Sequence, residues 1–471
     1  MFLHGKLPFL LILLHAQLAS LAIPTPSLVG DIIVAQADAF TQVANTIKTS
    51  IKTSVSDLAS IVSALGTTLA TNGASHGSVW NFNSISVAKT SLSNTRYSHT
   101  ISWPKATTWI NWSTYKGDGV NLGAWLEQEQ NYDPNWWNKY APDAADEWTF
   151  CETLGSQCGP VLEARYASFI TTADIDKMAA QGINTLRIPT TYAAWIKIPG
   201  SQLYSGNQQA YLKTISTYAI QKYGMHVIIG LHSLPGGVNS LGIGEAFGHD
   251  AWFFNTTNLE YSFKAIDAIL SFISASGVPQ GYTIAPINEA SDNFAGFATA
   301  AGLTANGTSW INTYITGVLN RIAKVDKRIP VMLQDCFLGE TYWSPFYATG
   351  TNLVIDSHIY FFAAAGVYAN YVSPAICGQA AYSAGDAKFP VFIGEWSLQT
   401  LYNNTLAGRK TIHDTQVYAY QKYVSGGAFW NAKMVNNTGT VSGEGVLSDY
   451  WSWELLADAG VVTKSLNSSY C

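Results

Sequence analysis

The 471 residues carry a net charge of −6, with 25 basic against 31 acidic side chains, a balance that argues against nucleic acid as a partner. Charged residues make up 12% of the chain where about 25% is usual, while aromatics reach 13%, so solubility has to come from something other than ions.

In chain order, Lys6 is followed by the apolar run Leu7–Leu14, and Ser20-Leu-Ala22 offers the small-x-small pattern of a leader cleavage site. Residues 1–22 therefore read as a signal peptide of a secreted protein. The apolar run falls short of the roughly 20 residues a membrane span needs, so a retained anchor is the weaker reading. Residues 23–100 form a second segment. Phe40, Val43, Ile47, Ile51, Val55, Leu58, Val62 and Leu65 recur at steps of three and four, which predicts an amphipathic helix, and a Ser/Asn/Gly-rich linker follows from Thr71.

From residue 101 to 471 short β-rich runs alternate with helical stretches, the pattern of parallel strands with helical crossovers. Eight strands are expected at Gly119–Trp125, Asn184–Pro189, His226–His232, Tyr282–Asn288, Pro330–Gln334, Leu353–His358, Pro390–Glu395 and Gly427–Asn431. Eight is the number that closes a (β/α)8 TIM barrel, so the fold class is α/β with an N-terminal helical extension. An open doubly wound sheet ranks second because no glycine-rich phosphate loop follows the first strand.

Six Asn-x-Ser/Thr sequons begin at Asn111, Asn255, Asn306, Asn403, Asn436 and Asn467, and in a secreted chain they are sites for solubilising glycans. Among the five cysteines, Cys151 and Cys158 close a short loop, Cys377 with Cys471 would pin the chain end, and Cys336 reads as a buried core thiol. Their spacing matches no zinc site.

The strand ends carry the chemistry. Phe389-Pro-Val-Phe-Ile-Gly-Glu395-Trp396 and Tyr282-Thr-Ile-Ala-Pro-Ile-Asn288-Glu289 are apolar runs that each end on a carboxylate. Beside them the strand ends place Glu129, Arg187, His232, His358, Tyr360 and Trp430. Two carboxylates at one barrel mouth suit glycoside cleavage, in which one protonates the leaving oxygen and the other attacks or activates water. Arg187 and Tyr360 would keep the second carboxylate ionised, Asn288 would bind a sugar hydroxyl, and Trp430 would floor the sugar. No His-x-x-x-His pair or carboxylate cluster marks a metal site, so neither metal nor cofactor is expected.

Taken together, Gly119-Val-Asn-Leu-Gly-Ala-Trp125, Asn184-Thr-Leu-Arg187-Ile-Pro189, Leu231-His232-Ser-Leu-Pro-Gly236, Asn288-Glu289, Asp356-Ser-His358-Ile-Tyr360, Gly394-Glu395-Trp396 and Phe429-Trp430 occur in order. Residues 110 to 471 thus resemble the fungal exo-β-1,3-glucanases (glucan 1,3-β-glucosidases) of glycoside hydrolase family 5. The resemblance implies a retaining mechanism with Glu289 as acid/base and Glu395 as nucleophile. Arg187, His232, Asn288, His358, Tyr360 and Trp430 then line the glucose subsite, Glu129 helps close the pocket end, and Cys377–Cys471 matches a family bridge. Two phenylalanines that the family sets at the pocket entrance are Leu241 and Ala363 here, with Phe247 and Phe362 nearby as substitutes.

The resulting expectation is a monomeric secreted enzyme acting on β-glucan, without nucleic acid or membrane span, that frees glucose from non-reducing ends of β-1,3 chains. A β-1,6-glucanase or endo-acting relative is the alternative enzyme, and an inactive glucan-binding wall protein the alternative of another class.

Overall fold

The structure is a computed structural model that describes residues 108–243, 245–363, 367–463 and 471. The expected leader, the amphipathic helix and linker of 23–100, and the Asn467 sequon lie outside those residues.

Eight parallel strands close on themselves in sequence order: β1 (Gly117–Asn121), β2 (Thr185–Thr190), β3 (His226–Leu231), β4 (Tyr282–Ala285), β5 (Val331–Gln334), β6 (Leu353–His358), β7 (Val391–Trp396) and β8 (Gly426–Phe429). β8 pairs back onto β1 through Gly117–Gly426 to Val120–Phe429, which completes the (β/α)8 barrel. Helices follow the strands, as the sequence periods require. The stripe Leu259, Phe263, Ile266, Leu270 and Ile273 is buried along the helix Thr256–Ser274. The helix Thr172–Gln181 stops at Gly182, whose φ of 97° is a left-handed cap that only glycine adopts without strain. Among the described residues no helix is long and apolar enough to cross a membrane.

Strand alternation sorts side chains between two cores. Leu186, Ile188, Ile229 and Ile393 face the surrounding helices. Ile228, Ala285, Met332, Val354, Phe392 and Ala428 pack inside the barrel, where Trp112 covers them from the segment before β1. Its indole Nε1 donates to Thr283 Oγ1 at 3.0 Å.

Four strands end earlier than the sequence suggests: β3 by one residue, β8 by two, which leaves Trp430 just beyond it, β4 by three and β1 by four. β1 stops at Asn121 and the chain turns through Ala124 at φ 54°, so Leu122–Trp125 belongs to the loop although its apolar character continues the strand pattern. β4 stops at Ala285 because Pro286 has no N–H to give to the ladder, and Asn288 and Glu289 therefore stand on the loop beyond it.

Both expected bridges form, Cys151–Cys158 and Cys377–Cys471, and Cys336 is free and buried. Asn111, Asn306, Asn403 and Asn436 are exposed, whereas Asn255 is half-buried and its side chain caps the helix Thr256–Ser274 by accepting from Asn258 N.

Candidate active site

Alternation alone would not aim Glu395 into the barrel. Phe392 points inward and Ile393 outward, so Gly394 should point in and Glu395 out. The β6–β7 register skips a residue: Ser357 pairs with Ile393, but His358 pairs with Glu395. This bulge turns Glu395 inward, the device by which sheets re-aim a side chain next to a site. It depends on Gly394, where a Cβ would stand 1.8 Å from Asp356 Oδ1.

Arg187 on β2 is fully buried and organises what surrounds it. Its Nη1 donates to Glu395 Oε1 at 2.7 Å and to Asn121 Oδ1 at 3.0 Å, and its Nη2 donates to Asn288 Oδ1 at 2.8 Å. Asp356 Oδ2 lies 3.4 Å from Nη2. The other oxygen of Glu395 accepts from the Tyr360 hydroxyl at 2.9 Å, and His232 Nε2 is 3.3 Å from Oε1. Burial opposes the ionised form of Glu395, but His358 and Arg187, with the His232 hydrogen bond, hold its carboxyl well below the usual range.

Glu289 sits in a different field. Burial raises its carboxyl above the ordinary value, opposed by the hydrogen bond from His358, whose Nδ1 is 2.7 Å from Glu289 Oε1. Burial would likewise suppress the His358 cation, but Glu395 and Asp356 override it and push that imidazole up to about 10. Glu289 also holds a left-handed backbone at φ 44°, a cost in strain that recurs at functional sites. One oxygen of each of Glu289 and Glu395 and a nitrogen of His358 lie within 4.8 Å of one another. Two close carboxyls thus have opposed tendencies, one to stay ionised and one to keep its proton, the pairing that nucleophilic attack with acid/base assistance requires.

The remaining expected residues adjoin this pair. Burial, with the charges of Glu395 and Glu289, pushes Glu129 up to about 8. Trp430 stacks on His232 with centroids 5.2 Å apart and planes 9° apart, and its indole N–H bonds to the Tyr132 hydroxyl. Phe362 packs edge-on to Tyr360 and Trp451, while the ring of Phe247 is exposed and its backbone N–H donates to Asp146 Oδ2. The disulfides and sequons are not part of this constellation. A surface cavity lined by Phe254, Asn306, Ser309, Trp310 and Thr313 shares no residue with it.

Asn121, Asp356, Tyr132, Trp451 and Glu127 are the neighbours that sequence reasoning missed. Asn121 and Asp356 stand inside motifs quoted above, and that was their only signal. Glu127, Glu129 and His232 also bring one donor each within 4.8 Å of one another. The hydrogen bonds and ion pairs of Glu289, His358 and Glu395 account for that trio without a cation, and no metal role is assigned to either.

Residues 152–435 match the model of the cellulase family, glycosyl hydrolase family 5. The chain belongs to glycosyl hydrolase family 5. Among the curated relatives of this family-5 enzyme, a probable glucan 1,3-β-glucosidase A of Aspergillus niger is 30% identical over 284 residues, covering 59% of this chain and 64% of that one. Glucan 1,3-β-glucosidase 1 of Schizosaccharomyces pombe is 27% identical over 259 residues, covering 53% and 60%. The enzyme thus spans slightly less than two thirds of those relatives' length. Among solved structures, a rutinosidase from Aspergillus niger is 50% identical with a TM-score of 0.74, covering 76% of this chain and 100% of that one. A chain named AoRut is 51% identical with a TM-score of 0.74, covering 75% and 99%.

Proposed function

We propose that this glycoside hydrolase cleaves β-glucosides with retention, with Glu395 as nucleophile and Glu289 as acid and then base. The observation that carries the reading is the approach of the two carboxyls, with one oxygen of each inside 4.8 Å. Retaining enzymes hold their carboxyl groups about 5–5.5 Å apart, whereas inverting ones leave about 6.5–9.5 Å for a water. Glu289 donates its proton to the departing oxygen while Glu395 attacks the anomeric carbon. Water, deprotonated by Glu289, then releases the sugar. Asn288 and Glu129 bind sugar hydroxyls, Trp430 floors the ring, and Glu129 closes the pocket end, which favours attack at a chain terminus. The enzyme is read as a secreted, glycosylated monomer whose residues 1–22 are a leader, 23–100 an extension and 101–471 the catalytic domain, with no cofactor.

For the substrate, the 50% identity with a rutinosidase favours a rutinoside, in which the glucose carries a rhamnose on O6 and an aglycone on its anomeric carbon. Leu241 and Ala363 agree with this, because both entrance positions lack the aromatic face that would grip the next glucose of a glucan. Terminal cleavage of β-1,3-glucan is the second reading, favoured by the relatives named glucan 1,3-β-glucosidase. Incubation with rutin, laminarin and pustulan, with products resolved by chromatography and anomers by NMR, tests both. Intact rutinose from rutin supports the first and glucose from laminarin the second. Preferential cleavage of pustulan points to a β-1,6-glucanase, and glucan binding without turnover to an inactive barrel. A product that first appears as the α-anomer overturns retention.

A further inference from the structure

Glu127 is a fully buried carboxyl group that the reaction described above does not use. It leaves β1 on the same loop as Glu129, and among the described residues neither of its oxygens has a hydrogen-bond partner. The Ala124 backbone N–H is near enough to ease its charge slightly but not in hydrogen-bonding geometry. A buried acid without a partner is costly enough to need a reason.

The group it faces is also unpartnered. His232 Nδ1 is buried without a hydrogen bond, and Glu127 Oε2 stands 4.0 Å from it. On the far side of the ring, Nε2 lies 3.3 Å from Glu395 Oε1 and 3.4 Å from Arg187 Nη1, whose two protons go instead to Glu395 Oε1 at 2.7 Å and Asn121 Oδ1 at 3.0 Å. A nitrogen that close to an ionised carboxylate is favourable only when it carries the proton. Burial lowers the His232 imidazole to about 4, so the ring is neutral and holds one proton. With that proton on Nε2, Nδ1 is a bare acceptor, and a bare acceptor repels a carboxylate but accepts from a carboxylic acid.

We infer that Glu127 is a positioning residue for the proposed reaction: as a carboxylic acid it donates to His232 Nδ1 and holds the ring as the tautomer whose Nε2–H points at Glu395. The inference rests on reading Glu395 as the nucleophile. The 4.0 Å separation closes to hydrogen-bond length with a shift of about 1 Å in one side chain.

The charges around Glu127 favour the neutral acid. Burial comes first, and the ionised Glu395 on β7 adds to it, pushing the Glu127 carboxyl well above the ordinary range. Glu129 on its own loop and Glu147 on the helix Glu147–Leu154, each itself pushed up to about 8, add repulsion only where they ionise at higher pH. The Arg187 and His358 cations are engaged with Glu395, Asp356 and Glu289. The Arg165 guanidinium is bound to Gln128 and Asp133. Trp430, stacked on His232 and tied to Tyr132, already fixes the plane of the ring. What is left for Glu127 to decide is which nitrogen bears the proton.

The test compares wild type, Glu127→Leu and Glu127→Gln by steady-state kinetics on an aryl β-glucoside across pH and by 15N NMR of histidine-labelled protein. Leucine removes the donor, and kcat should fall about three- to tenfold with KM little changed, the worth of one neutral hydrogen bond. Glutamine keeps an N–H donor and cannot ionise, so it should recover most of that loss and hold it to higher pH than wild type does. The 15N shifts of His232 should report a protonated Nε2 in wild type and Glu127→Gln, and a tautomer mixture in Glu127→Leu. A wild-type ring protonated on Nδ1, or a glutamine variant as impaired as the leucine one, overturns the inference. So does a stoichiometric metal ion that either variant loses. Azide rescue of Glu395→Ala reports on the nucleophile independently, so failure of that assignment is distinguishable from failure of this one.

Discussion

Arg187 Nη1 donates to Glu395 Oε1 at 2.7 Å while Nη2 lies 3.4 Å from Asp356 Oδ2, so one buried cation serves two buried carboxylates. Removing it strands both. Breaking a buried pair by deleting one partner costs about 3–5 kcal/mol, and Arg187→Met should lower stability by that order. It should also raise the Glu395 carboxyl, which moves the acid limb of kcat/KM to higher pH. Arg187→Lys should fall between, because a single ammonium cannot reach Asn121, Glu395 and Asn288 together. Thermal unfolding and a pH–rate profile check this. An unmoved acid limb in Arg187→Met would mean that the arginine is structural only.

Arg187 and Glu395 were legible in the sequence because each is a charged residue interrupting or ending an apolar strand. Asp356 was not singled out, although it lies two residues before His358. Its role depends on the missing Cβ of Gly394, which lets Asp356 and β7 approach, and that proximity is a tertiary fact. The bulge that turns Glu395 inward is equally silent, since strict alternation would have faced it outward. The first strand was placed two residues late at its start and four at its end because Leu122 and Trp125 are apolar for the helix-facing core rather than for the ladder. In Glu127-Gln-Glu129 the sequence gives two acids at a spacing of two, and only packing tells the one beside His232 Nδ1 from the one nearer the sugar pocket.

The two glutamates should fail in different ways. With Glu289→Ala, an activated aryl glucoside needs no acid to leave, so Glu395 still forms the glycosyl-enzyme. Azide then attacks that intermediate and releases the β-glucosyl azide. With Glu395→Ala no intermediate forms, and azide displaces the aglycone directly to give the α-anomer. Proton NMR of the azide products assigns each role. Anomers the other way round would reverse the assignment.

The Cys377–Cys471 bridge spans 94 residues and ties the chain end to the helix Val372–Ser383. In the chain-entropy model a loop of that size is worth roughly 4–5 kcal/mol. Cys377→Ser should therefore lower the unfolding temperature while leaving kcat near wild type, because neither cysteine touches the site. Non-reducing peptide mapping checks the pairing, and a bridge to Cys336 in the native protein would contradict it.

Glu147 gives a stability prediction whose sign runs against the usual one for carboxylates. It is the first residue of the helix Glu147–Leu154, where the helix dipole favours an anion, and its Oε2 accepts from Gln128 N at 2.7 Å. Complete burial outweighs both and pushes its carboxyl up to about 8 from an ordinary 4.5. Between those values the folded protein binds the proton more tightly than the unfolded chain does. The contribution of Glu147 is therefore full below 4.5 and is lost as pH rises through about 8. His226 and His232, buried neutral at about 3 and about 4, act in the opposite direction, but only below the ordinary imidazole value of 6.5. Glu129, at about 8, acts with Glu147, and so does His358, whose raised value of about 10 places its loss at still higher pH. Comparing wild type with Glu147→Gln isolates the one group, since the amide keeps the shape and cannot ionise. The unfolding temperature of wild type should drop by several degrees relative to the variant between about pH 6.5 and pH 9. Parallel curves for the two proteins across that interval would show that Glu147 is already ionised at its helix end and that the dipole, not burial, sets its charge.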